Sequence, residues 1–92
     1  MEYYRMDGGF AYGERDESPL ATVEVSTTDS GALLISHTEV DPSIRGQGIA
    51  RALVMLVVER ALSEGRTIVP RCPYAASLLS ADRELSSLIS RS

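Results

Sequence analysis

The sequence predicts a small α/β domain of the α+β type: a mixed four-stranded sheet, one crossover helix packed on it, and short helices at the end. Three observations point there. Residues 10–14, 20–26 and 32–40 have strand character and are joined by short turns, which favours an antiparallel meander. Residues 46–63 then change to a helical period. A further strand over residues 67–72 follows that helix, and a strand–helix–strand unit makes its two strands parallel, with a right-handed connection.

Taken in order, residues 1–9 end in Asp7-Gly8-Gly9, a turn signal, and read as a frayed start or a short edge strand. Phe10-Ala11-Tyr12-Gly13-Glu14 is the first strand of the meander, interrupted by Gly13. After the turn Asp16-Glu17-Ser18-Pro19, Ala21, Val23 and Val25 alternate with Thr22, Glu24 and Ser26, as in a half-buried strand. Thr28-Asp29-Ser30-Gly31 turns the chain into the longer third strand, which Asp41-Pro42 ends because proline has no N–H for a ladder. In the helix, Ile49, Leu53, Leu56, Val57 and Ala61 make the apolar stripe, and Gly65 suits its C-terminal cap. Pro70 and Pro73 remove N–H donors late in the fourth strand, so its pairing should stop or splay at that end. Residues 74–80 and 82–90 read as two short helices, with Leu78, Leu79, Leu85, Leu88 and Ile89 on their buried side and Asp82 as an N-cap.

Size and charge narrow the function classes. The 92 residues suit a single domain with one modest core and leave no room for a separate substrate domain. There are 13 acidic residues against 9 basic ones, a net charge of -4, and every cation is arginine. Without a basic run such a chain is not built for nonspecific nucleic-acid binding, which neutralises many phosphates. A single cysteine, Cys72, and a single histidine, His37, exclude an internal disulfide, a cysteine zinc cage and a multi-histidine metal centre. No leader segment is visible, and the apolar run over residues 52–58 falls far short of the roughly 20 residues that cross a bilayer. The expectation is a cytoplasmic protein with no membrane attachment.

The chemistry concentrates on Arg45-Gly46-Gln47-Gly48-Ile49-Ala50, between the third strand and the helix. The first turn of a helix has unpaired N–H donors and a positive dipole end. Glycines there leave the donors uncovered, so the loop suits a phosphate or pyrophosphate. It has neither the lysine and spacing of a nucleoside-triphosphate loop nor the dinucleotide fingerprint.

The pattern Arg45-x-x-Gly48-x-Ala50, after a strand ending Val40-Asp41-Pro42, resembles the acyl-CoA signature of the GNAT superfamily of N-acyltransferases. The resemblance covers roughly residues 32–74, and the lack of extra helices and terminal strands is similar to a very small, single-domain subgroup. It implies acetyl-CoA as co-substrate, transfer of its acetyl group to an unidentified amine, and no metal. It further implies that Arg45, Gly46, Gln47, Gly48, Ile49 and Ala50 hold the pyrophosphate. The pantetheine arm would lie between residues 38–40 and 69–72, bringing in Thr38 and Val40, with a backbone N–H near Thr38 polarising the thioester carbonyl. The missing elements usually build the acceptor pocket, and a homodimer or a partner protein could complete it. The alternative is a noncatalytic acyl-CoA-binding or protein-interaction module, and a structural domain without ligand is a third reading.

Four residues are candidates for proton or acyl transfer. His37 and Glu39 alternate on one strand and so share a face, and either can take a proton from an attacking ammonium. A surface pair with no chemical role is the competing reading. Cys72 ends the fourth strand, where the resemblance puts the thioester, and Tyr74 lies two residues on. A Cys72 thiolate can accept the acyl group, or its thiol can protonate departing CoA, although lone cysteines are usually small buried hydrophobes. Tyr74 can also protonate the CoA sulfur, as a nearby tyrosine does in many GNAT members, or simply pack over the strand end.

Overall fold

The computed structural model describes residues 1–90. Five strands lie in sequence order in one mixed sheet: β1 (Glu2–Met6), β2 (Gly9–Gly13), β3 (Ala21–Thr27), β4 (Leu33–Val40) and β5 (Ile68–Pro70). The first four are antiparallel, and β4 and β5 run parallel. The four-stranded expectation is therefore corrected to five, because residues 2–6 are an edge strand. They pair with β2 from Glu2↔Gly13 to Met6↔Gly9. Cross-strand aromatics reinforce that edge. The Tyr3 and Tyr12 rings lie 4.7 Å apart, and the Arg15 guanidinium sits 5.0 Å over the Tyr4 ring.

Helix α1 spans Ile49–Glu64 and packs across β2, β3 and β4. Its buried residues are Ile49, Leu53, Val54, Val57, Val58 and Ala61. Leu56, expected on that stripe, is only partly buried, and Val54 and Val58 broaden the face in its place. Beneath the helix lie Ala21, Val23 and Val25 of β3, with Leu33 and Ile35 of β4. Each large apolar side chain buried there contributes about 1.5–3 kcal/mol. The helix stops at Gly65, whose left-handed backbone lets its own amide reach Leu62 O and the Arg66 amide reach Ala61 O at 2.9 Å. Arg66 then donates from Nη1 to Gly31 O at 2.7 Å, fastening this end of the helix to the β3–β4 turn.

The helix begins three residues later than its period suggested. Gly46 and Gly48 have φ of +81° and +79°, a left-handed backbone that no helix continues. Residues 46–48 are therefore loop, with Gly48 at the N-cap. Upstream, the Asp41 side chain accepts from the Ser43 amide at 2.9 Å and from its hydroxyl at 2.7 Å, forming a short 3₁₀ turn over Pro42–Ile44. Those two bonds, with Arg45 beside them, hold the Asp41 carboxyl below its ordinary value.

Strand β4 carries an irregularity that governs the site. Glu24 pairs with His37 and Val25 with Ile35, so Ser36 is an extra residue, a β-bulge. With unbroken alternation His37 and Glu39 would follow Leu33 and Ile35 into the core. The bulge reverses the phase: Thr38 and Val40 pair with core-facing Val23 and Ala21, whereas His37 and Glu39 pair with Glu24 and Thr22 on the opposite face. Pairing with β5 also ends here, at Ile35↔Pro70. Strand β5 is shorter than the expected 67–72, and Ile35 O closes the ladder by accepting from the Arg71 and Cys72 amides at 2.9 and 3.1 Å. The prolines stop the pairing as expected.

Helix α2 (Pro73–Ser80) follows with Cys72 as its N-cap, and α3 is a single turn, Arg83–Ser86. Asp82 caps α3 by accepting from the Glu84 and Leu85 amides. The helix expected over residues 82–90 ends early because the chain turns back to β5: Leu88 O accepts from Ile68 and Ser90 donates to Ile68 O, both at 2.7 Å.

Candidate active site

Loss of the β5 partner leaves one edge of β4 open over residues 36–40. The Asp41 amide donates to Leu20 O, one residue before β3. By antiparallel alternation Glu39 and His37 point their backbone groups the same way, and Thr38 and Val40 point theirs into the opening. A groove of about 720 Å³ runs along this edge to the glycine loop and the start of α1. One wall is His37, Thr38, Glu39 and Val40, and Tyr74 stands at the α2 end. The other end is Arg45, Gly46, Gly48, Ile49 and Ala50, joined by Ile44 and Arg51. Of the site residues expected from the sequence, Gln47 and Cys72 do not line the groove, and the 69–71 side of the expected gap does not border it either. Ile44 carried no sequence signal of its own, since it lies in the turn that only the Asp41–Ser43 bonds define.

At the loop end, no side chain caps α1 and no acidic residue occupies its first turn. The amides of residues 46–51 meet no acceptor among the described residues. A Cβ built on Gly46 or Gly48 would meet nothing within 4 Å, so the loop opens on free space. Uncovered donors, a positive helix end and the exposed arginines Arg45 and Arg51 together fit a pyrophosphate. Arg45 also donates from Nε to Val40 O at 3.2 Å, tying the loop to the open edge of β4.

At the other end, the candidate proton-transfer residues fall into two pairs. His37 Nε2 and Glu39 Oε2 are 3.6 Å apart and both side chains are mostly exposed. Glu39 also borders a smaller cleft of about 180 Å³, with Asp41 and residues 19–22, and so stands between two hollows. Tyr74 is 41% exposed on the groove wall. Cys72 is 6% exposed and lies behind Thr38, whose Oγ1 is 3.3 Å from its Sγ. Burial alone would push the Cys72 thiol up. Hydrogen bonds from the Thr38 hydroxyl and from the amides of Ala75, Tyr74 and Thr38 outweigh it and bring the thiol below its ordinary value. The Thr38 amide, expected to face a thioester carbonyl, thus faces a sulfur here. Among the described residues, no group of three or more His, Cys, Asp or Glu is placed to hold a metal ion, and no helix is long and apolar enough to cross a membrane.

A mixed sheet whose β4–β5 pairing ends beside a crossover helix, with an uncapped glycine loop at that helix's start, has the architecture of the N-acetyltransferase class. A family model described as GCN5-related N-acetyl-transferase matches residues 9–88, and the chain belongs to that family. Among solved structures it is similar to one described as a "GCN5-like putative N-acetyltransferase" from Staphylococcus aureus, determined by NMR. The TM-score is 0.80 at 25% identity, covering 97% of this chain and 87% of that one. No curated protein matches the chain.

Proposed function

We propose that the protein is an acetyl-CoA-dependent N-acetyltransferase acting on an amine. The observation that carries this reading is the groove, which joins the uncovered amides of residues 46–51 to the open edge of β4. Its two ends suit the two ends of one elongated ligand. The loop amides and Arg51 would hold the pyrophosphate, and the Thr38 carbonyl and Val40 amide, which meet no partner among the described residues, would pair with the pantetheine arm as a missing strand would. Acetyl-CoA supplies the acetyl group as an activated thioester.

The chain's own residues then move protons. Glu39, bordering both hollows, takes the proton of the acceptor ammonium, with His37 beside it as the second candidate. The C–N bond forms, the thioester C–S bond breaks, and the departing sulfur takes the Cys72 proton, leaving a thiolate that the surrounding donors hold until the second proton released by the amine nitrogen, carried through solvent, restores the thiol. Tyr74 is the alternative donor. A reducing compartment such as the cytoplasm suits a mechanism that depends on a free thiol.

One observation favours the noncatalytic module. Beyond β5 the described chain adds only the bridge Ile68↔Ile89, and no further strand builds an acceptor wall. A second copy or a partner protein would then supply that side.

Binding and catalysis separate the two readings. Acetyl-CoA at about 100 times its Kd should stabilise the protein by about 2.7 kcal/mol in a thermal-shift assay, and no stabilisation would remove both. Against a panel of amines, Glu39→Gln and Cys72→Ala should each lower turnover by about 100-fold with CoA affinity kept, and Tyr74→Phe should have the smaller effect. Native protein that binds CoA but acetylates nothing on the panel counts for the module.

A further inference from the structure

We infer that the Thr38 hydroxyl is a positioning residue for the Cys72 sulfur, holding it in one place whether or not the thiol carries its proton. The inference rests on the reading above, in which Cys72 hands a proton to the departing sulfur.

The geometry begins at the bulge. The last β4–β5 pair is Ile35↔Pro70, and the Cys72 amide is drawn back to Ile35 O, so no ladder bond joins the chains at the level of Thr38. The sulfur bridges the gap instead, 3.3 Å from Thr38 Oγ1. The other partners of the sulfur are backbone amides, from Thr38, Tyr74 and Ala75. An amide N–H can only donate, so these three bind the thiolate more strongly than the thiol and cannot accept the S–H proton. A hydroxyl both donates and accepts. It accepts from the S–H, then turns its own proton toward the sulfur once the thiol has given its proton away. Thr38 is the acceptor that the described structure places on the thiol. As a β-branched residue on a strand it also has few rotamers to lose.

The titratable side chains nearest in the chain are Arg71 and Tyr74 beside Cys72, and His37 and Glu39 on either side of Thr38. None of them hydrogen-bonds the sulfur through its side chain. Removal of the Thr38 hydroxyl is therefore read at the sulfur directly.

Cys72 is the one cysteine of the chain, so alkylation by iodoacetamide reports a single site. The experiment measures its alkylation rate against pH, and acetyl transfer in parallel, for the native chain, Thr38→Val and Thr38→Ser. The native midpoint should lie below that of an ordinary thiol. Thr38→Val should raise it, serine should bring it back, and kcat for the valine variant should fall about tenfold, the value of one hydrogen bond to a charged group, with KM for acetyl-CoA nearly constant. Should valine disturb folding, Thr38→Ala makes the same comparison with less bulk. An unmoved midpoint in a folded variant, or a serine variant that behaves like valine, overturns the inference. A raised midpoint with unaltered transfer in both Thr38→Val and Cys72→Ala keeps the positioning role and removes Cys72 as proton donor.

Discussion

Gly48→Val is expected to weaken CoA binding by about 100-fold or more while the protein remains folded. The fold survives because a Cβ at Gly48 has nothing within 4 Å to strike, so the cost in stability is backbone strain of about 1–2 kcal/mol at φ +79°. That is a fraction of the roughly 5–14 kcal/mol typical of a chain of this length. Binding suffers far more, because the new side chain occupies the space that the free amides of residues 46–51 open onto. Charge-assisted hydrogen bonds are worth about 1.5–3 kcal/mol each, and losing two gives at least a 100-fold effect. Gly8 supplies the control. It has a φ of +81° and equally open surroundings, but it lies in the β1–β2 turn, away from the groove. Titration calorimetry with CoA should show Gly8→Val binding as the native chain does. Equal losses in the two variants, or none in Gly48→Val, would end the assignment of the loop to the pyrophosphate.

The largest effect on stability is expected from Leu53→Ala. Leu53 is fully buried on α1, in the cluster that holds the helix to β3 and β4. Truncating such a leucine costs about 2–5 kcal/mol, since the methyl groups are lost and the cavity closes only in part. At roughly 3 kcal/mol the melting temperature should drop by about 12–24 °C, readable by circular dichroism. Leu62→Ala offers the contrast, because Leu62 on the same helix is 63% exposed and should cost under about 0.5 kcal/mol. A large loss at Leu62, or a small one at Leu53, would mean that α1 meets the sheet through another face.

Local chemistry made much of the fold legible. The alternation in β3, the glycine that ends α1, the Asp82 cap and the prolines at and beyond the end of β5 are each set by neighbours a few residues away, and each stands where the sequence placed it. The edge strand β1 was ambiguous because its support comes from Tyr12 and Arg15 on other segments. The bulge at Ser36 has no strong local signal, though it leaves a trace: the inward apolar positions shift from odd, Leu33 and Ile35, to even, Val40. The shared face of His37 and Glu39 was readable from their spacing, but not that this face is turned away from the helix. The relation between Thr38 and Cys72 spans 34 residues and two elements, and no local pattern encodes it.

The bulge has a consequence for exchange of backbone hydrogens with solvent. Residues 33–35 sit between two ladders, whereas residues 37–40 are paired on the β3 side only. Amide protons along β4 should therefore fall into two protection classes, slow at His37 and Glu39, which bond inward, and fast at Val40, which faces the opening. A ligand lying along that edge as an added strand would slow Val40 and leave Glu39 as it was. Deuterium uptake at a single position then serves as an occupancy gauge for the groove, one that needs no knowledge of the acceptor and no turnover. It would read the same in an enzyme and in a module that only binds.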